Sequence, residues 1–236
     1  MGNLSGMAVF NMKESKVKPV VFIATGLFLC LAAVYFLPVP IPGKLAFPVG
    51  LLFLASLWLT RWEVSLALLF SALGDIAGGC GEILWQMGAF AVGHIFYILF
   101  FVKRYFAKVD RRDGKVSRRA VAHISVFTLC VAAVLAVAFA LVVPSMPEGV
   151  MRIAGGTYAV IICGMFLMAL LQRSSLYALG AAMFVISDLV LSWNLFVEPV
   201  DGAGVTIMVT YYLAQWLIFV RATPYEVAHP VRLLRF

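Results

Sequence analysis

The sequence predicts an all-α protein, a polytopic transmembrane helical bundle of about eight spans. Of the 236 residues, 64% are hydrophobic and only 12% are charged, and the mean hydropathy is +1.02. A soluble domain is about half apolar and about a quarter charged. Apolar runs of about 20 residues, the length that crosses the hydrocarbon core of a bilayer, recur from one end of the chain to the other. These observations exclude an ordinary soluble domain and indicate a multi-pass integral membrane protein.

The first span follows residues 1–18, which we expect to form a cytoplasmic N-terminal segment. The segment PVPIPGK after this span offers no small-x-small cleavage site, so we interpret the span as a retained helix and not as a signal peptide. The predicted spans are residues 19–37, 44–60, 62–79, 84–102, 120–143, 150–171, 175–195 and 204–221. They form one transmembrane domain over residues 19–221, and residues 222–236 form a cytoplasmic tail.

Positive charge indicates which loops face the cytoplasm. The basic loop, residues 103–119, follows the fourth span and carries much of the net charge of +7. Its cations are Lys103, Arg104, Lys108, Arg111, Arg112, Lys115, Arg118 and Arg119. Because lysine and arginine concentrate in cytoplasmic loops, both termini are predicted inside, which an even number of spans allows. The charge is therefore a topology signal and a contact for anionic membrane lipids, and it does not indicate a nucleic-acid site.

Spans three and four resemble spans seven and eight. The first pair reads FSALGD followed by GHIFYILF, and the second reads FVISD followed by TYYLAQWLIF. Each pair has serine and aspartate on its first helix and polar side chains three or four residues apart on its second. Since an offset of four spans preserves orientation, the pattern favours a four-plus-four parallel repeat about an axis along the membrane normal. The alternative is chance similarity among apolar helices.

Two aspartates, Asp75 and Asp188, lie inside these apolar spans. Span three enters near Trp62 and span seven near Ser175, so each acid lies about 20 Å along its helix at a rise of about 1.5 Å per residue. Ionisable groups at such depth are costly, and they usually face a partner or a water-filled cavity. The alternative for either acid alone is a structural hydrogen bond to a neighbouring helix. The matched depth of the two favours a shared functional role.

Other polar side chains reach the same layer. His94 lies about 15 Å into span four, and the polar group of span eight lies about 10–17 Å in. That group is Tyr211, Tyr212 and Gln215. A single buried histidine or tyrosine is usually a packing residue, so we interpret them together as one constellation. Gly74 and Gly78 flank Asp75 as a small-xxx-small pair, which is typical of close helix packing.

Two carboxyls in an apolar cavity predict acid/base chemistry. Their proximity and burial allow one to stay protonated while the other remains ionised, which supplies a general acid and a general base together. This arrangement suits cleavage of an acetal-like C–O bond. The sequence contains no H-E-x-x-H, G-x-S-x-G or phosphate-loop motif, and its four cysteines form no C-x-x-C pair. We therefore expect no metal site and no serine-hydrolase or nucleotide chemistry.

The motifs SALGD, GAFAVGHIFY, VISD and TYYLAQ, in that order, resemble those of the YhhN-like lysoplasmalogenase family of multi-pass membrane proteins. The segment YAVIICGM and the region of Lys44 are also similar, so the resemblance covers about residues 40–220. It implies hydrolysis of the vinyl-ether bond of lysoplasmalogens to a fatty aldehyde and a glycerophospho-base, without a metal or an organic cofactor. The implied partner is this lysophospholipid, and the oligomeric state is left open.

Taken together, the residues and the resemblance assign Asp75 and Asp188 as the catalytic pair, one as the acid and the other as the base, and leave open which is the acid. The expected substrate-binding or orienting residues are Lys44, Ser71, His94, Tyr97, Tyr158, Ser187, Asn194, Tyr211, Tyr212 and Gln215. Among these, Lys44 either snorkels to the interface or contacts a lipid phosphate, and the two serines are expected to hydrogen-bond near the acids. The short chain favours the inner membrane of a bacterium as its location.

A proton-coupled transporter or lipid carrier is the alternative, because intramembrane acids and a repeat suit that class as well. Transporters of this kind often bind their substrate at broken helices. Proline here is confined mainly to loops, with Pro48 as the exception inside a span. The absence of broken helices therefore favours the hydrolase.

Overall fold

The computed structural model describes the backbone of residues 2–110 and 118–228, and the side chains of residues 19–108 and 121–223. Over these ranges the chain forms eight α-helices and no strand. They are α1 (Gly2–Tyr35), α2 (Phe47–Leu59), α3 (Trp62–Gly79), α4 (Ile83–Asp110), α5 (Arg118–Val137), α6 (Val150–Leu170), α7 (Ser175–Phe196) and α8 (Ala203–Ala228). The predicted all-α class is confirmed.

The helices are longer than the predicted spans at several ends. α1 begins at Gly2, α4 continues to Asp110 and α8 to Ala228. Lysine, arginine and alanine have helix propensities as favourable as those of apolar residues. A helix can therefore continue past the point where the hydropathy of the sequence falls. In α4 the extension also places Lys108 in the last turn, where a cation interacts favourably with the helix dipole. The first part of the predicted basic loop is therefore helical.

Some predicted features lie outside the described residues. These are the side chains of the N-terminal lysines, the basic-loop residues Arg111, Arg112 and Lys115, and the tail residues Arg232 and Arg235.

Five helical segments within the described residues are long and apolar enough to cross a membrane. They are Ile83–Lys108, Val121–Ser145, Val150–Leu170, Ser175–Phe196 and Ala203–Thr223. The apolar segments Pro19–Tyr35 and Phe47–Leu59 are shorter. Large apolar side chains cover the outside of the bundle, for example Phe22 at 80% exposure and Trp58 at 81%. Such a surface suits a lipid environment, and the predicted class of polytopic helical membrane protein is confirmed.

A turn of π-helix, Ala138–Val142, and a turn of 3₁₀-helix, Val143–Ser145, follow α5. Pro144 explains the change of helix type, because proline donates no backbone hydrogen bond and its ring clashes with the carbonyl of the residue four positions earlier. This irregular segment lies between α5 and α6 and packs against α7 as well.

The most extensive helix pairings are α3 with α4 and α7 with α8. α2 packs against α3 and α8, while α6 packs against α7 and α4. Exchanging the first four helices for the last four reproduces these pairings, but the packing of α1 against α8 has no comparable counterpart between α5 and α4 in the described residues. The parallel repeat therefore stays a prediction.

Glycines allow the paired helices to approach closely. A β-carbon at Gly74 would lie 3.1 Å from the Phe90 ring, and one at Gly78 would lie 2.6 Å from Nε2 of Gln86. Both glycines of the small-xxx-small pair therefore face α4. At the second pair, a β-carbon at Gly180 would lie 3.2 Å from a backbone carbonyl of α8. The close packing predicted around Asp75 is present.

Candidate active site

Asp75 ends a chain of hydrogen bonds that joins three helices. Its side chain lies on α3 and the residue is 3% exposed. The Tyr211 hydroxyl of α8 donates to Asp75 Oδ2 at 2.9 Å, and Gln215 Nε2 donates to the Tyr211 oxygen at 3.3 Å. Tyr97 of α4 donates to Gln215 Oε1 at 2.8 Å. Every donor points towards Asp75, which suits an acceptor carboxylate.

Asp188 has a second, separate network. The Tyr158 hydroxyl of α6 donates to Asp188 Oδ2. His94 Nε2 of α4 lies 3.1 Å from the Tyr158 oxygen and 3.8 Å from Asp188 Oδ2. Because the single proton of Tyr158 is directed at Asp188, the network assigns the hydrogen on His94 to Nε2. His94 Nδ1 is buried and has no hydrogen-bond partner among the described residues.

Aromatic rings lie between the two networks and contact residues of both. Phe184 stands edge-on to His94, with ring centroids 5.0 Å apart, and also to Tyr211, at 5.7 Å. Phe90 contacts Tyr211 in the same manner at 5.6 Å. No hydrogen bond within the described residues joins the two carboxylates. The sequence suggested adjacent acids, whereas the structure gives each acid its own partners and places a ring contact between them.

A cavity of about 330 Å³ lies between α4, the α5–π-helix segment, α6 and α7. Its polar lining residues are Gln86, Tyr158, Asp188 and Ser192. The rest of the lining is apolar apart from the Cys163 thiol, and Asp75 does not belong to it. The volume falls within the roughly 300–1,000 Å³ that is usual for small-molecule sites. Asp188 is therefore the acid that a bound molecule in this cavity would meet.

Three predicted site residues stabilise the connections of the bundle. Lys44 Nζ donates to the carbonyls of Leu37 and Val39, at 2.9 and 3.1 Å, and so fixes the segment between α1 and α2. The Tyr212 hydroxyl donates to the carbonyl of Leu45 at 2.8 Å, in the same connection.

Asn194 makes a similar contact, since its Oδ1 accepts the backbone N–H of Val200 at 2.9 Å after the end of α7.

The two serines hydrogen-bond to backbone carbonyls. Ser71 Oγ donates to Ala67 O at 2.9 Å, within its own helix. Ser187 Oγ donates to Ile207 O at 3.1 Å and so links α7 to α8. Neither hydroxyl is directed at a carboxylate.

Sequence reasoning missed the ring layer of Phe90 and Phe184 and two cavity residues, Gln86 and Ser192. Gln86 carried a signal, because it is a polar side chain in the apolar run ILWQMGAF. The phenylalanines carried none, since apolar residues lie on every face of these helices. Among the described residues, no group of three or more histidine, cysteine or acidic side chains is placed to hold a metal ion.

Fold and site define a class: a multi-pass helical membrane protein with two carboxylate networks. The carboxylate of the first, Asp75, is buried, whereas that of the second, Asp188, is partly exposed and lines an apolar cavity. The chain belongs to the YhhN family, whose model matches residues 44–222. A stretch of 76 residues is 40% identical to lysoplasmalogenase TMEM86B of Homo sapiens, covering 32% of each chain. A stretch of 48 residues is 44% identical to lysoplasmalogenase TMEM86B of Sus scrofa, covering 20% of this chain and 21% of the relative. The aligned stretches thus span a third or less of these relatives. No solved structure matches the chain.

Proposed function

We propose that this protein is an intramembrane hydrolase that cleaves the vinyl-ether bond of lysoplasmalogens, releasing a fatty aldehyde and a glycerophospho-base. The observation that carries the proposal is the position of Asp188, which lines an apolar cavity and accepts the Tyr158 hydroxyl. Membership of the YhhN family and the names of the two relatives support the choice of substrate.

In the proposed first step, protonated Asp188 donates its proton to the alkene carbon further from the ether oxygen. Asp188 Oδ2 is engaged by Tyr158, which leaves Oδ1 to carry the transferable proton. The π electrons of the alkene form the new C–H bond, and a lone pair of the ether oxygen stabilises the resulting oxocarbenium ion. The Asp188 carboxylate that remains faces this cation and stabilises it.

In the second step, water adds to the oxocarbenium carbon and gives up a proton to the Asp188 carboxylate, which restores the acid. The hemiacetal so formed then loses its hydroxyl proton as the bond to the glycerol oxygen breaks, and that oxygen takes up a proton. One water is consumed for each aldehyde and each glycerophospho-base. No cofactor is needed for this balance.

Asp75, the second carboxylate, neither gives nor takes a proton in these steps and has an indirect role. It accepts the Tyr211 hydroxyl, and Tyr211 packs against Phe184, whose ring also contacts His94. We therefore assign Asp75 as a positioning residue that holds the ring layer behind the Asp188 network. The remaining orienting groups of this proposal are His94, Tyr97, Tyr158 and Gln215.

The apolar lining of the cavity favours a lipid hydrolase over a transporter of polar solutes. Only four of its lining residues bear polar groups other than a thiol, and two of these, Tyr158 and Asp188, already bond to each other. A hydrophilic solute would leave its polar groups without partners in such a site, at a cost of roughly 1–3 kcal/mol for each. We also propose the bacterial inner membrane as the location, with both termini cytoplasmic.

The test is product analysis with purified protein. We expect aldehyde and glycerophospho-base, identified by mass spectrometry, from a lysoplasmalogen but not from the matched saturated ether, because protonation at carbon requires the alkene. Asp188→Asn should abolish the reaction. Asp201 is an exposed loop carboxylate, so Asp201→Asn is the matched control and should retain the activity. Equal turnover of the saturated ether, or full activity of Asp188→Asn, would contradict the proposal.

A further inference from the structure

The two ends of the cavity differ in chemistry. The lining brings together Ile83 at the start of α4, Met146 between the 3₁₀ turn and α6, and Leu195 and Phe196 at the end of α7, so the connections next to these residues lie at one end of the cavity. The loop end of the cavity, next to these connections, is lined by Ile83, Gln86, Met146, Ser192, Leu195 and Phe196. The apolar end, on the other side of Asp188, is lined by Phe90, Ala133, Val134, Ile162, Cys163 and Val185.

Asp188 and Tyr158 lie between these two ends. Ser192 follows Asp188 by one turn of α7 on the same face, about 6 Å towards the loop end. Val185 precedes Asp188 by about one turn in the opposite direction. On α6 the lining runs from Gly155 to Cys163, a distance of about 12 Å along the helix. The cavity is thus long enough for a chain that passes Asp188 and continues beyond it.

A vinyl-ether lysolipid extends in two directions from its reactive carbon, with glycerol and headgroup on one side and hydrocarbon on the other. If the vinyl ether contacts Asp188, the chemistry of the lining determines which end of the cavity binds the glycerol side of the lipid and which end binds the hydrocarbon side. Gln86 and Ser192 are the polar groups at the loop end, and they suit the glycerol hydroxyl. The apolar end offers only aliphatic and aromatic carbon and one thiol, and burial of a hydrocarbon chain there is favourable at about 25 cal/mol per Å².

We infer that the apolar end is the binding site for the hydrocarbon chain of the substrate and that Gln86 and Ser192 bind its glycerol. This inference rests on the proposed function for the identity of the substrate, but the site itself requires only an amphiphile with one long chain. The carbons of the chain next to the ether then lie between Tyr158 and the residues Ile162 and Val185. The substrate therefore lies with its headgroup towards the loop end of the bundle.

The experiment uses an unreactive probe, so that binding is measured apart from chemistry. The probe is a saturated 1-O-hexadecyl lysophosphoethanolamine with a diazirine within the first few carbons of its chain, applied to the protein in liposomes. After photolysis, we expect the label on residues of the apolar end. A second probe, with the diazirine on the headgroup amine, should label residues of the loop end. Excess unlabelled lysolipid should compete with both.

Variants test the same site from two helices. Ala159→Phe fills the cavity beside Tyr158, and Ala133→Phe fills it from α5, where the residue is also exposed at the surface. Each should weaken competable labelling about tenfold, or about 1.4 kcal/mol. Val160→Phe is the matched control on α6, because Val160 is 50% exposed and does not line the cavity, and it should label as the wild type does.

Two results would overturn the inference: a reversed pattern of labels, or chain labelling confined to surface side chains such as Phe22 and Trp58. The proposed reaction is judged separately. The expected labelling without any cleavage of lysoplasmalogen would support the binding site and contradict the hydrolase function. Cleavage with labelling of surface side chains alone would support the hydrolase function and contradict the binding site.

Discussion

At the scale of single residues, the Tyr158 hydroxyl lies between two hydrogen-bonding groups and can donate to only one of them. Its hydroxyl has one proton, and its neighbours on the two sides are Asp188 and His94 Nε2. The proton is directed at Asp188, so Tyr158 donates to the carboxylate while its oxygen accepts from His94. His94 therefore acts on Asp188 through the Tyr158 hydroxyl.

The first prediction tests this connection. Tyr158→Phe keeps the ring and removes the hydroxyl that orients the general acid Asp188, and we expect the rate to fall about 100-fold, within the usual range for the loss of a general acid–base contribution. Because His94 acts on Asp188 through that hydroxyl, His94→Gln should slow the wild type but add almost nothing to Tyr158→Phe. A double-mutant cycle on kcat measures the coupling. Additive effects of the two substitutions would show that Tyr158 only holds Asp188 in place.

The second prediction separates the two aspartates. Asp188→Asn removes the proton donor, so we expect a loss of at least about 1,000-fold in kcat at every pH. Asp75→Asn should lower kcat only about tenfold and keep the shape of the pH–rate profile, because Asp75 does not line the cavity. Tyr211→Phe removes the same hydrogen bond from the other side and should match Asp75→Asn. If Asp75→Asn is as inactive as Asp188→Asn, the two carboxyls act directly as a pair.

The sequence was informative for the residues whose burial is costly. Asp75, Asp188 and His94 stand out because a polar side chain deep in a membrane helix needs a reason to be there. Phe90 and Phe184, which link the two networks, look like any other apolar residue of a span. In a membrane protein, lipid-facing, core-facing and cavity-facing positions are all apolar, so hydropathy could not locate the cavity.

At the scale of helices, α7 and α8 pack closely where Gly180 meets α8. A β-carbon there would lie 2.9 Å from Ile218 Cγ1, 3.2 Å from the Ala214 carbonyl oxygen and 3.3 Å from Leu217 Cβ. A side chain such as Ile218 can move aside, but the backbone of α8 can do so only if the helix shifts. Since α7 carries Asp188 and α8 carries Tyr211, the spacing of this pair also sets the spacing of the two networks.

The third prediction uses this contact. Gly180→Ala should reduce the free energy of unfolding by about 1–3 kcal/mol, as overpacking does in closely packed interiors. Gly164→Ala is the control, because a β-carbon there would meet Ile98 Cδ1 at an ordinary 3.7 Å, and alanine should stabilise the helix by roughly 0.5–1 kcal/mol. Thermal unfolding in detergent micelles measures both. An unchanged midpoint of thermal unfolding for Gly180→Ala would mean that α7 and α8 can move apart without loss of stability.

The positions of the helices could be predicted, whereas their ends could not. The apolar runs located all eight helices, because about 20 apolar residues in a row have few alternatives to a membrane helix. The ends depend on helix propensity and on contacts in the adjoining segments, as α4 shows by continuing to Asp110. The π-helical turn before Pro144 follows from local backbone clashes, and hydropathy contains no information about those.

At the scale of the whole molecule, the hydrogen-bond network of each acid includes a residue from the opposite half of the chain. Asp75, in the first four helices, accepts from Tyr211 of α8, while Asp188, in the last four, is linked through Tyr158 to His94 of α4. The halves therefore complete each other's networks across their interface. Such exchange explains why neither network can be recognised from one half of the sequence alone.

The fourth prediction concerns orientation in the membrane. In a variant without native cysteines, Asp201→Cys in the α7–α8 connection should react with a membrane-impermeant maleimide on intact bacterial cells. Lys115→Cys in the basic loop should react only after the cells are opened, because cation-rich loops remain in the cytoplasm. Labelling is read on gels with a fluorescent maleimide. The opposite pattern would place both termini outside.

The cavity also determines where the substrate comes from. The cavity is partly open, and Val137 and Leu189, which line it, are 47% and 38% exposed, so it is not sealed from the surface of the bundle. A lysolipid would then enter sideways from the bilayer, and its concentration at the site would be its mole fraction in the membrane. Dilution with inert phospholipid would slow turnover even at a constant amount of substrate per volume. After cleavage the aldehyde would return to the lipid and the glycerophospho-base would leave for water, and this separation of the two products into different phases would oppose their recombination.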